Sequence, residues 1–476
     1  MGTRLALTVG LIVWALPAAP ALSQDAKTVV ADATKAMGAG NLTSILLTGA
    51  ALQGNFGQSR TITFGLATTA IKNYHVAIDF ATTALRATGD GEPSAPGRRG
   101  GAAPPAAPYE QTVSASSPWR EQFPIWVTPW GFLRGAAANM ATVRTTKVGG
   151  IPYTVVTWSP PHKAPSGKPY RVVGYINPEQ MVDRVETWVD HPIFGDLHVD
   201  TVYTGFQDAD GLKVPARSSQ KLAGMETFVT SIREVRVNPP DITALVAGPA
   251  LAPVPPTPSP VSEKLAEGVY RITVDYVSMA VEFKDHVVVL EAGPSEARGL
   301  AVIGETRRLF PTKPIKYVVN THPHFDHSAG LAPFIAQGIT VITDDNCKFF
   351  VEAAFSEPRT LASDLLSKSG KKPKVEGVID TLVLKDETRT LELYHVDGLD
   401  HTDAMLVALL PKERILFTAD FNVPRPGQPV SPSIATLVAN LDRLKLDFDR
   451  HVMVHPPDPD RPMTRADLYE LARGAR

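Results

Sequence analysis

The sequence predicts an α+β protein with two domains, an antiparallel β-rich domain followed by one in which strands and helices alternate. The chain has 476 residues, more than one hydrophobic core usually serves. Residues from about 42 to 237 are mostly runs with period-two alternation, which is typical of a half-exposed antiparallel sheet. From residue 263 onward apolar strands alternate with helices, as in layered folds of sheets and helices.

Composition and charge narrow the class of protein. Hydrophobic residues make up 43% and charged residues 20% of the chain, as expected for a soluble globular protein. The formal net charge of −2 offers no basic surface for nucleic acid or for an anionic membrane. We therefore expect no nucleic-acid partner, and the expectation of a small-molecule substrate must be argued from the site. Cys347 is the only cysteine, so an intrachain disulfide is excluded and a small buried residue is expected.

Residues 1–23 have the parts of a secretory signal peptide. Arg4 precedes the apolar run 5–16, and the small residues around Ala21 and Ser23 provide a cleavage site. The run is too short to span a bilayer by itself, and an uncleaved anchor is the alternative. We expect an exported protein, periplasmic or secreted, that is cut after Ser23.

The N-terminal domain is expected to span residues 24–237 and to form a meandering sheet. The runs that predict strands are residues 74–80, 153–158, 171–175, 182–188 and 198–203. Residues 131–142 predict the one convincing helix of this half. The Gly/Pro/Ala-rich residues 89–108 predict a mobile loop. Residues 238–262 are rich in proline, which favours an extended linker, so the second domain is expected at 263–476.

The N-terminal half shows no chemistry of its own. Its segment 174–215 is loosely similar to the curved sheets of periplasmic lipoprotein-carrier proteins. Its histidines have no partner at ligand spacing and are expected to be ordinary surface or hydrogen-bonded side chains; they are His75, His162, His191 and His198. We expect this half to influence the choice of substrate.

Four side chains that can bind metal lie in the six residues 322–327, directly after the apolar run 315–319. An extended backbone places His322, His324 and Asp326 on one side. His327 points in another direction. Ligands that point in two directions suit two neighbouring metal ions, provided that the backbone turns into a helix around Asp326 and His327.

This stretch resembles the signature of the metallo-β-lactamase superfamily, and the resemblance covers residues of about 263–476. It implies a four-layer αββα sandwich with a metal centre in the cleft between the sheet edges. It also requires three later ligands, which the chain supplies as His401 in a Gly-x-x-His turn, Asp420 after the strand 414–418, and His455 at the end of a strand.

The resemblance divides these residues between two metals. His322, His324 and His401 would bind the first metal, and Asp326, His327 and His455 the second, with Asp420 shared. Nitrogen and oxygen ligands without a thiolate suit two divalent ions, of which Zn²⁺ fits best and Fe or Mn are possible. Because all ligands lie beyond residue 263, we expect residues 263–476 to fold and bind metal when expressed alone.

Further residues are expected to support the site. Glu291 stands where the family often has an Asp that braces the metal loop, although a plain strand-end Glu is equally compatible with the sequence. His395 is expected near the ligands rather than among them. His451 is expected to face solvent. Residues 358–372 predict a helix that leads into a loop over the cleft.

The chemistry implied is hydrolysis of an ester, thioester, lactone or phosphoester by water that the two metals activate. Asp326 and Asp420 are the expected catalytic carboxylates. Asp400 and Asp403 are further candidates for proton handling. The resemblance implies that the chain is not a true β-lactamase, because those enzymes have Cys or Ser at the position of Asp420.

Two other functions remain compatible with the sequence. A mono-iron oxygenase of the same superfamily would use two histidines and one carboxylate, a subset of these residues, so the metal content distinguishes it from the hydrolase. A lipid- or polymer-binding protein with a structural metal would bind metal fully without turning over any ester.

Overall fold

The computed structural model describes residues 25–61, 66–93, 107–249, 255–425 and 427–475. The predicted signal peptide, residues 1–23, lies outside the described residues. Within the described ranges, no helix combines the length and the apolar character that crossing a membrane requires.

An eleven-stranded sheet forms the N-terminal half, and every neighbouring pair in it is antiparallel. Its strands are β1 (Ser44–Gly54), β2 (Thr68–Asp79), β3 (Ala84–Pro93), β4 (Ala107–Val113), β5 (Thr142–Val148), β6 (Ile151–Trp158), β7 (Val172–Ile176), β8 (Val182–His191), β9 (Gly195–Ala209), β10 (Leu212–Leu222) and β11 (Met225–Val237). The spatial order is β4-β3-β2-β1-β11-β10-β9-β8-β7-β6-β5. The predicted antiparallel β-rich half is therefore confirmed.

The helices of this half differ from the sequence expectation. They are α1 (Ala26–Ala36), α2 (Trp119–Trp126), α3 (Pro129–Ala138) and α4 (Ile242–Leu245). Helix α3 replaces the predicted helix 131–142. It starts earlier because the Thr128 side chain accepts a hydrogen bond from the Gly131 amide as its N-cap. It ends earlier because Asn139 is already extended and β5 begins at Thr142.

The predicted loop and linker are shorter than expected. Strand β3 runs to Pro93 and β4 begins at Ala107, so strands occupy both ends of the predicted loop 89–108; residues 94–106 lie outside the described residues. In the predicted linker 238–262, α4 forms one turn, and the next strand begins at Val261. The division at this linker stays a prediction.

The C-terminal half contains two sheets of seven and six strands. The first comprises β12 (Val261–Ala266), β13 (Val269–Val274), β14 (Tyr276–Glu282), β15 (Val287–Leu290), β16 (Ile315–Val319), β17 (Thr340–Asp344) and β18 (Val375–Val378). The second comprises β19 (Thr381–Lys385), β20 (Thr390–His395), β21 (Leu406–Leu410), β22 (Ile415–Thr418), β23 (Arg450–Met453) and β24 (Met463–Thr464). All four side chains of β15 are buried, as its apolar sequence predicts.

The helices of this half are α5 (Glu296–Leu309), α6 (Phe325–Ser328), α7 (Ala332–Gln337), α8 (Asp345–Ala354), α9 (Leu365–Ser369), α10 (Pro432–Leu444) and α11 (Arg465–Gly474), with a 3₁₀ turn at Ala329–Leu331. A core of buried residues from both sheets, including Leu290 and Leu406, extends to Leu437 of α10 and Leu468 of α11.

The predicted helix 358–372 is wrong apart from the short α9. The Asp364 side chain caps α9, and Gly370 ends it in the left-handed conformation at φ 64°. The residues before it are held by the N-terminal half instead. The Arg359 guanidinium donates to the Ile193 carbonyl at 3.0 Å and forms an ion pair with Asp364.

The two halves share one apolar core. One contiguous cluster of buried side chains includes Ile193 and Phe194 from the N-terminal half together with Phe334 and Leu361 from the C-terminal half. Backbone hydrogen bonds also cross the boundary, among them Asp196 N to Pro358 O at 2.7 Å and Ser166 N to Leu361 O at 3.0 Å. The halves therefore contact each other through core packing as well as through the connecting chain.

Candidate metal centre

The metal loop, residues 320–328, leaves β16 and turns into α6. Strand β16 ends at Val319, the chain bends at Thr321 and Pro323, and it becomes helical at Phe325. The backbone therefore turns just before Asp326 and His327, as a second group of ligands with another direction requires. His322 and His327 are fully buried, and the loop is held by the Asn320 side chain, which donates to the His322 carbonyl at 2.8 Å.

The three later residues come from the second sheet and reach the same place. His401 lies between β20 and β21, Asp420 follows β22, and His455 follows β23. Because β22 and β23 are parallel neighbours, their carboxyl ends meet at one edge of the sheet. This places Asp420 beside His455.

The structure brings all seven predicted residues together and divides them into the two predicted groups. The ligand atoms of His322, His324, His401 and Asp420 lie within 4.8 Å of one another, and so do those of Asp326, His327 and His455. The side chains of Asp326, His401 and His455 are 28%, 29% and 23% exposed. The centre is therefore open to a substrate on that side.

Asp420 lies between the two groups. Its Oδ2 is 2.6 Å from His401 Nε2 and 3.3 Å from His322 Nε2. Its Oδ1 is 2.8 Å from His455 Nε2 and 3.0 Å from His327 Nε2. Each carboxylate oxygen thus faces one group of histidines, which is the arrangement of a bridging ligand. Asp420 is held there in a left-handed backbone conformation, φ 56°, which a non-glycine residue adopts at a cost.

The donor atoms fit a cation better than they fit one another. His327 Nε2, His401 Nε2 and Asp420 Oδ1 are buried without a hydrogen-bond partner among the described residues. This is so although His327 Nε2 and Asp420 Oδ1 are only 3.0 Å apart. Buried polar atoms that are close but not aligned for hydrogen bonds are expected where they share a metal ion. Imidazole nitrogens and carboxylate oxygens suit Zn²⁺.

Glu291 braces the metal loop as the resemblance implies. It is fully buried and accepts from Thr321 Oγ1 at 2.7 Å and from His327 Nδ1–H at 3.2 Å through the same oxygen. Its other oxygen accepts from the Gly293 amide at 2.9 Å. The bond from Nδ1 leaves His327 Nε2 as the ligand atom, directed towards Asp420.

The local electrostatics favour a cation. Burial lowers the pKa of His322 and lowers that of His324 to about 4, so both are neutral ligands at neutral pH. Burial alone would also lower the pKa of His327 and raise that of Asp420. The carboxylates around His327 raise its pKa instead, and four histidines hold the pKa of Asp420 below its usual range. Glu291, Asp326 and Asp420 thus place negative charge around His327, which favours a cation at this position.

Sequence reasoning missed Tyr276, the first residue of β14. Its ring contacts the His455 ring edge-on at 4.3 Å between centroids, and its hydroxyl donates to Asp326 Oδ2 at 3.3 Å. Burial, reinforced by Asp326, raises the pKa of Tyr276 to about 12. No motif in the sequence marks this tyrosine, because it is 50 residues from Asp326.

Other expected residues lie in different places. His451 is buried and not solvent-facing; its Nε2 is 2.8 Å from Thr418 Oγ1. His395 lies against Asp344 at 2.6 Å, which raises its pKa, and belongs to neither ligand group. Cys347 is buried as expected. Asp400 and Asp403 belong to neither ligand group among the described residues.

Comparisons with known proteins find similarity to one superfamily. Residues 274–454 match the family model of the metallo-beta-lactamase superfamily. Similar solved structures include the DIM-1 metallo-beta-lactamase, with 19% identity, coverage of 46% of this chain and 98% of that chain, and a TM-score of 0.36. FIM-1 from Pseudomonas aeruginosa in its mono-zinc form gives 18% identity, 46% and 96% coverage, and a TM-score of 0.35. A metallo-beta-lactamase from Pontibacter korlensis has 18% identity, with coverage of 45% of this chain and 98% of that chain and a TM-score of 0.35. No curated protein matches the chain.

Proposed function

Because residues 274–454 belong to the metallo-beta-lactamase superfamily, we propose that this chain is a metal-dependent hydrolase with a dinuclear, mainly zinc, centre. The observation that carries the proposal is the position of Asp420, whose two oxygens each face a separate group of histidines. A mono-iron oxygenase would leave the group of Asp326, His327 and His455 without a role.

The residues of the chain have distinct tasks in this proposal. His322, His324 and His401 would hold one ion, and Asp326, His327 and His455 would hold the other. When bound, the two ions supply Lewis-acid chemistry, because they activate water and stabilise negative charge that develops on the substrate.

Tyr276, beside Asp326 and His455 at the open side of the centre, would contact the substrate directly. Tyr276 remains protonated at neutral pH, because its pKa is raised to about 12. Its hydroxyl is placed beside Asp326 and His455, where it can donate a hydrogen bond to a substrate oxygen. Asp326 and Asp420 keep the surrounding histidines oriented and supply negative charge.

The proposed scissile bond is that of an ester, thioester, lactone or phosphoester. An aspartate at position 420 adds an anionic group between the two ligand sets, whereas β-lactam hydrolases of the superfamily have Cys or Ser there. The anionic bridge lowers the net charge of the centre and suits clamping of the attacking and leaving oxygens. We therefore propose that the chain is not a true β-lactamase.

Two further features belong to the proposal. We propose the helix–sheet–sheet–helix order of a four-layer sandwich for the C-terminal half, which the core between its two sheets supports. We also propose export to the periplasm or beyond, on the basis of residues 1–23.

The proposal is tested by metal analysis and by a substrate panel. Elemental analysis of the purified full chain should find about two metal ions per chain, mainly zinc. An ester, thioester or phosphoester should be cleaved at least about a hundredfold more efficiently than a penicillin, which corresponds to about 2.7 kcal/mol in transition-state stabilisation. Full activity after rigorous metal removal, or a penicillin as the best substrate, would refute the proposal.

Asp420→Ala is the decisive variant for this panel. It should lose at least about a hundredfold in kcat/KM, because both ligand groups lose their shared carboxylate. Asp447→Ala is the matched control: this carboxylate is exposed and pairs with Arg414. An Asp420→Ala enzyme as active as Asp447→Ala would exclude the bridging role.

A further inference from the structure

A turn of the N-terminal sheet reaches the metal centre of the other half. This turn, the anchor loop, comprises residues 55–61 and follows β1. The Gly57 carbonyl accepts from the Phe325 amide at 3.0 Å, at the residue where α6 begins. The Phe56 ring contacts the Phe325 ring edge-on at 5.1 Å between centroids. The anchor loop therefore docks on the metal loop by both backbone and side-chain contacts.

The anchor loop fixes the tautomer of a metal ligand. Ser59 is buried, and its carbonyl oxygen lies 3.0 Å from His324 Nε2. A carbonyl can only accept, so His324 Nε2 must carry the proton. The lone pair is then on Nδ1, the atom that lies 3.1 Å from His322 Nε2 inside the first ligand group. The Ser59 carbonyl thus holds His324 in the form and orientation that a ligand needs.

The anchor loop also contacts the second ligand group. The Gln58 side-chain amide donates to Asp326 Oδ1 at 2.6 Å. The other oxygen of Asp326 faces His327 Nε2 at 3.3 Å and the Tyr276 hydroxyl at 3.3 Å. Gln58 therefore occupies the oxygen of Asp326 that points away from the ligand histidine, which orients the carboxylate.

The same turn contacts the loop that carries His401. The Arg60 carbonyl accepts from the Asp403 amide at 2.8 Å, and the Arg60 side chain donates to the Leu399 carbonyl at 3.4 Å. The metal loop follows a strand of the seven-stranded sheet, whereas the His401 loop lies between strands of the six-stranded sheet. The anchor loop thus connects the ligand-bearing loops of both sheets.

We propose that the anchor loop of the N-terminal half is a positioning element of the metal centre, in which the Ser59 carbonyl orients His324 and the Gln58 amide orients Asp326. This inference rests on the proposed function, because it takes these two residues to be metal ligands. It assigns the N-terminal half a direct part in the affinity of the centre for metal.

Gly57→Ala tests the backbone part of the proposal in the full chain. Gly57 has φ 98°, and a Cβ at this position would lie 2.4 Å from the Phe325 ring, so either the Phe325 ring or the anchor loop must shift and their packing is disturbed. Competition with a chromophoric chelator, using Zn²⁺ alone as the probe, should show at least about tenfold weaker binding. Gly224→Ala is the control: it has φ 81° and open space around its Cβ, so it carries similar backbone strain away from the site. It should bind Zn²⁺ like the wild type.

Gln58→Met tests the side-chain part and does not depend on how Gly57→Ala folds. Gln58 is exposed, and methionine has a similar length but no donor for Asp326. Zn²⁺ titration should show about tenfold weaker binding at one of the two sites and an unchanged affinity at the other. Gln53→Met, at an exposed glutamine of β1, should leave both affinities unchanged.

The outcomes separate this inference from the proposed function. If the wild type binds two Zn²⁺ ions and both Gly57→Ala and Gln58→Met bind them equally tightly, the positioning role is overturned while the proposed function stands. If the wild type binds no Zn²⁺, the proposed function fails and this inference fails with it. Weaker binding by both variants, with normal binding by the two controls, supports the inference.

Discussion

At the scale of single residues, buried histidines serve different purposes in this protein. In the metal centre, His322 and His327 each direct Nε2 towards Asp420, while Nδ1 faces an oxygen of Thr321 or Glu291 that orients the ring. His451 has only the Thr418 hydroxyl, and its Nδ1 is buried without a hydrogen-bond partner among the described residues. Burial lowers the pKa of His451 to about 4, so it is neutral in the folded protein. A neutral buried histidine makes stability depend on pH.

His451→Gln should weaken this pH dependence. The unfolded chain binds a proton at His451 below the ordinary pKa of about 6.5, whereas the folded chain binds it only below about 4. Burial of neutral His451 therefore adds nothing to the pH dependence above pH 6.5. As the pH falls from 6.5 to 4, the unfolded chain takes up the proton first, and the free energy of unfolding falls by about 3 kcal/mol. Glutamine can keep the contact with Thr418 and does not titrate. Urea unfolding between pH 7 and 4 should show a smaller loss of stability for the variant; equal losses would exclude this role of His451.

At the scale of elements, the sequence predicted strands better than helices. Alternating or apolar runs of residues follow from which faces of a strand are buried, so β6, β8 and β16 lie where the pattern places them. Helices α1 and α2 were missed. Helix α2 contains Pro124, a residue that disfavours a helix interior. The helix expected at 358–372 does not form over most of its length, because Pro358, Arg359 and Leu361 are hydrogen-bonded to the N-terminal half. Local sequence does not encode these tertiary contacts.

The contribution of those contacts to stability can be measured by substitution in the segment before α9. Arg359 and Asp364 form an ion pair with side chains only 5% and 12% exposed. Arg359→Ala would leave Asp364 unpaired and remove donors to the Ile193 and Pro192 carbonyls. We expect it to lower the free energy of unfolding by about 3 kcal/mol.

The control for Arg359→Ala is Arg414→Ala. Arg414 also forms ion pairs with two carboxylates, those of Asp447 and Asp449, but all three side chains are exposed. Exposed pairs contribute little to stability. If urea unfolding shows equal losses for the two variants, the segment before α9 does not depend on the buried pair.

The candidate site divides in the same way between what could and could not be predicted. The close spacing of residues 322–327 and the strand ends before Asp420 and His455 mark the ligands in the sequence itself. Ser59 and Gln58 leave no such mark, because they act through a carbonyl or a single amide on residues 265 and 268 positions away. Only the folded chain shows these contacts.

At the scale of the whole molecule, the shared apolar core changes the expectation for the C-terminal half. The sequence predicts that residues 263–476 fold and bind metal alone. The structure places Phe194 against Phe325 and Phe350, with centroids 5.9 and 5.8 Å apart, so the isolated half would expose these rings. We therefore expect the full chain to unfold as one cooperative unit.

Two probes that report on different halves can test this. Five of the six tryptophans are at positions 119, 126, 130, 158 and 188, and the sixth is Trp14 in the predicted signal peptide. Tryptophan fluorescence therefore follows the N-terminal half, whereas release of Zn²⁺ to a chromophoric chelator follows the other half. In a urea titration the two transitions should coincide. Loss of zinc well after the fluorescence change would mean that the halves fold independently.

The anchor loop has a consequence for transfer of the C-terminal half to another protein. A C-terminal half transplanted onto another carrier would keep all seven ligand residues yet leave His324 without the Ser59 carbonyl and Asp326 without the Gln58 amide. A chimera with the same contacts would have to include residues 55–61 together with β1, the strand that they follow. The part of the chain that would have to be transferred is therefore larger than the segment that contains the candidate ligands, because it includes a part of the N-terminal sheet.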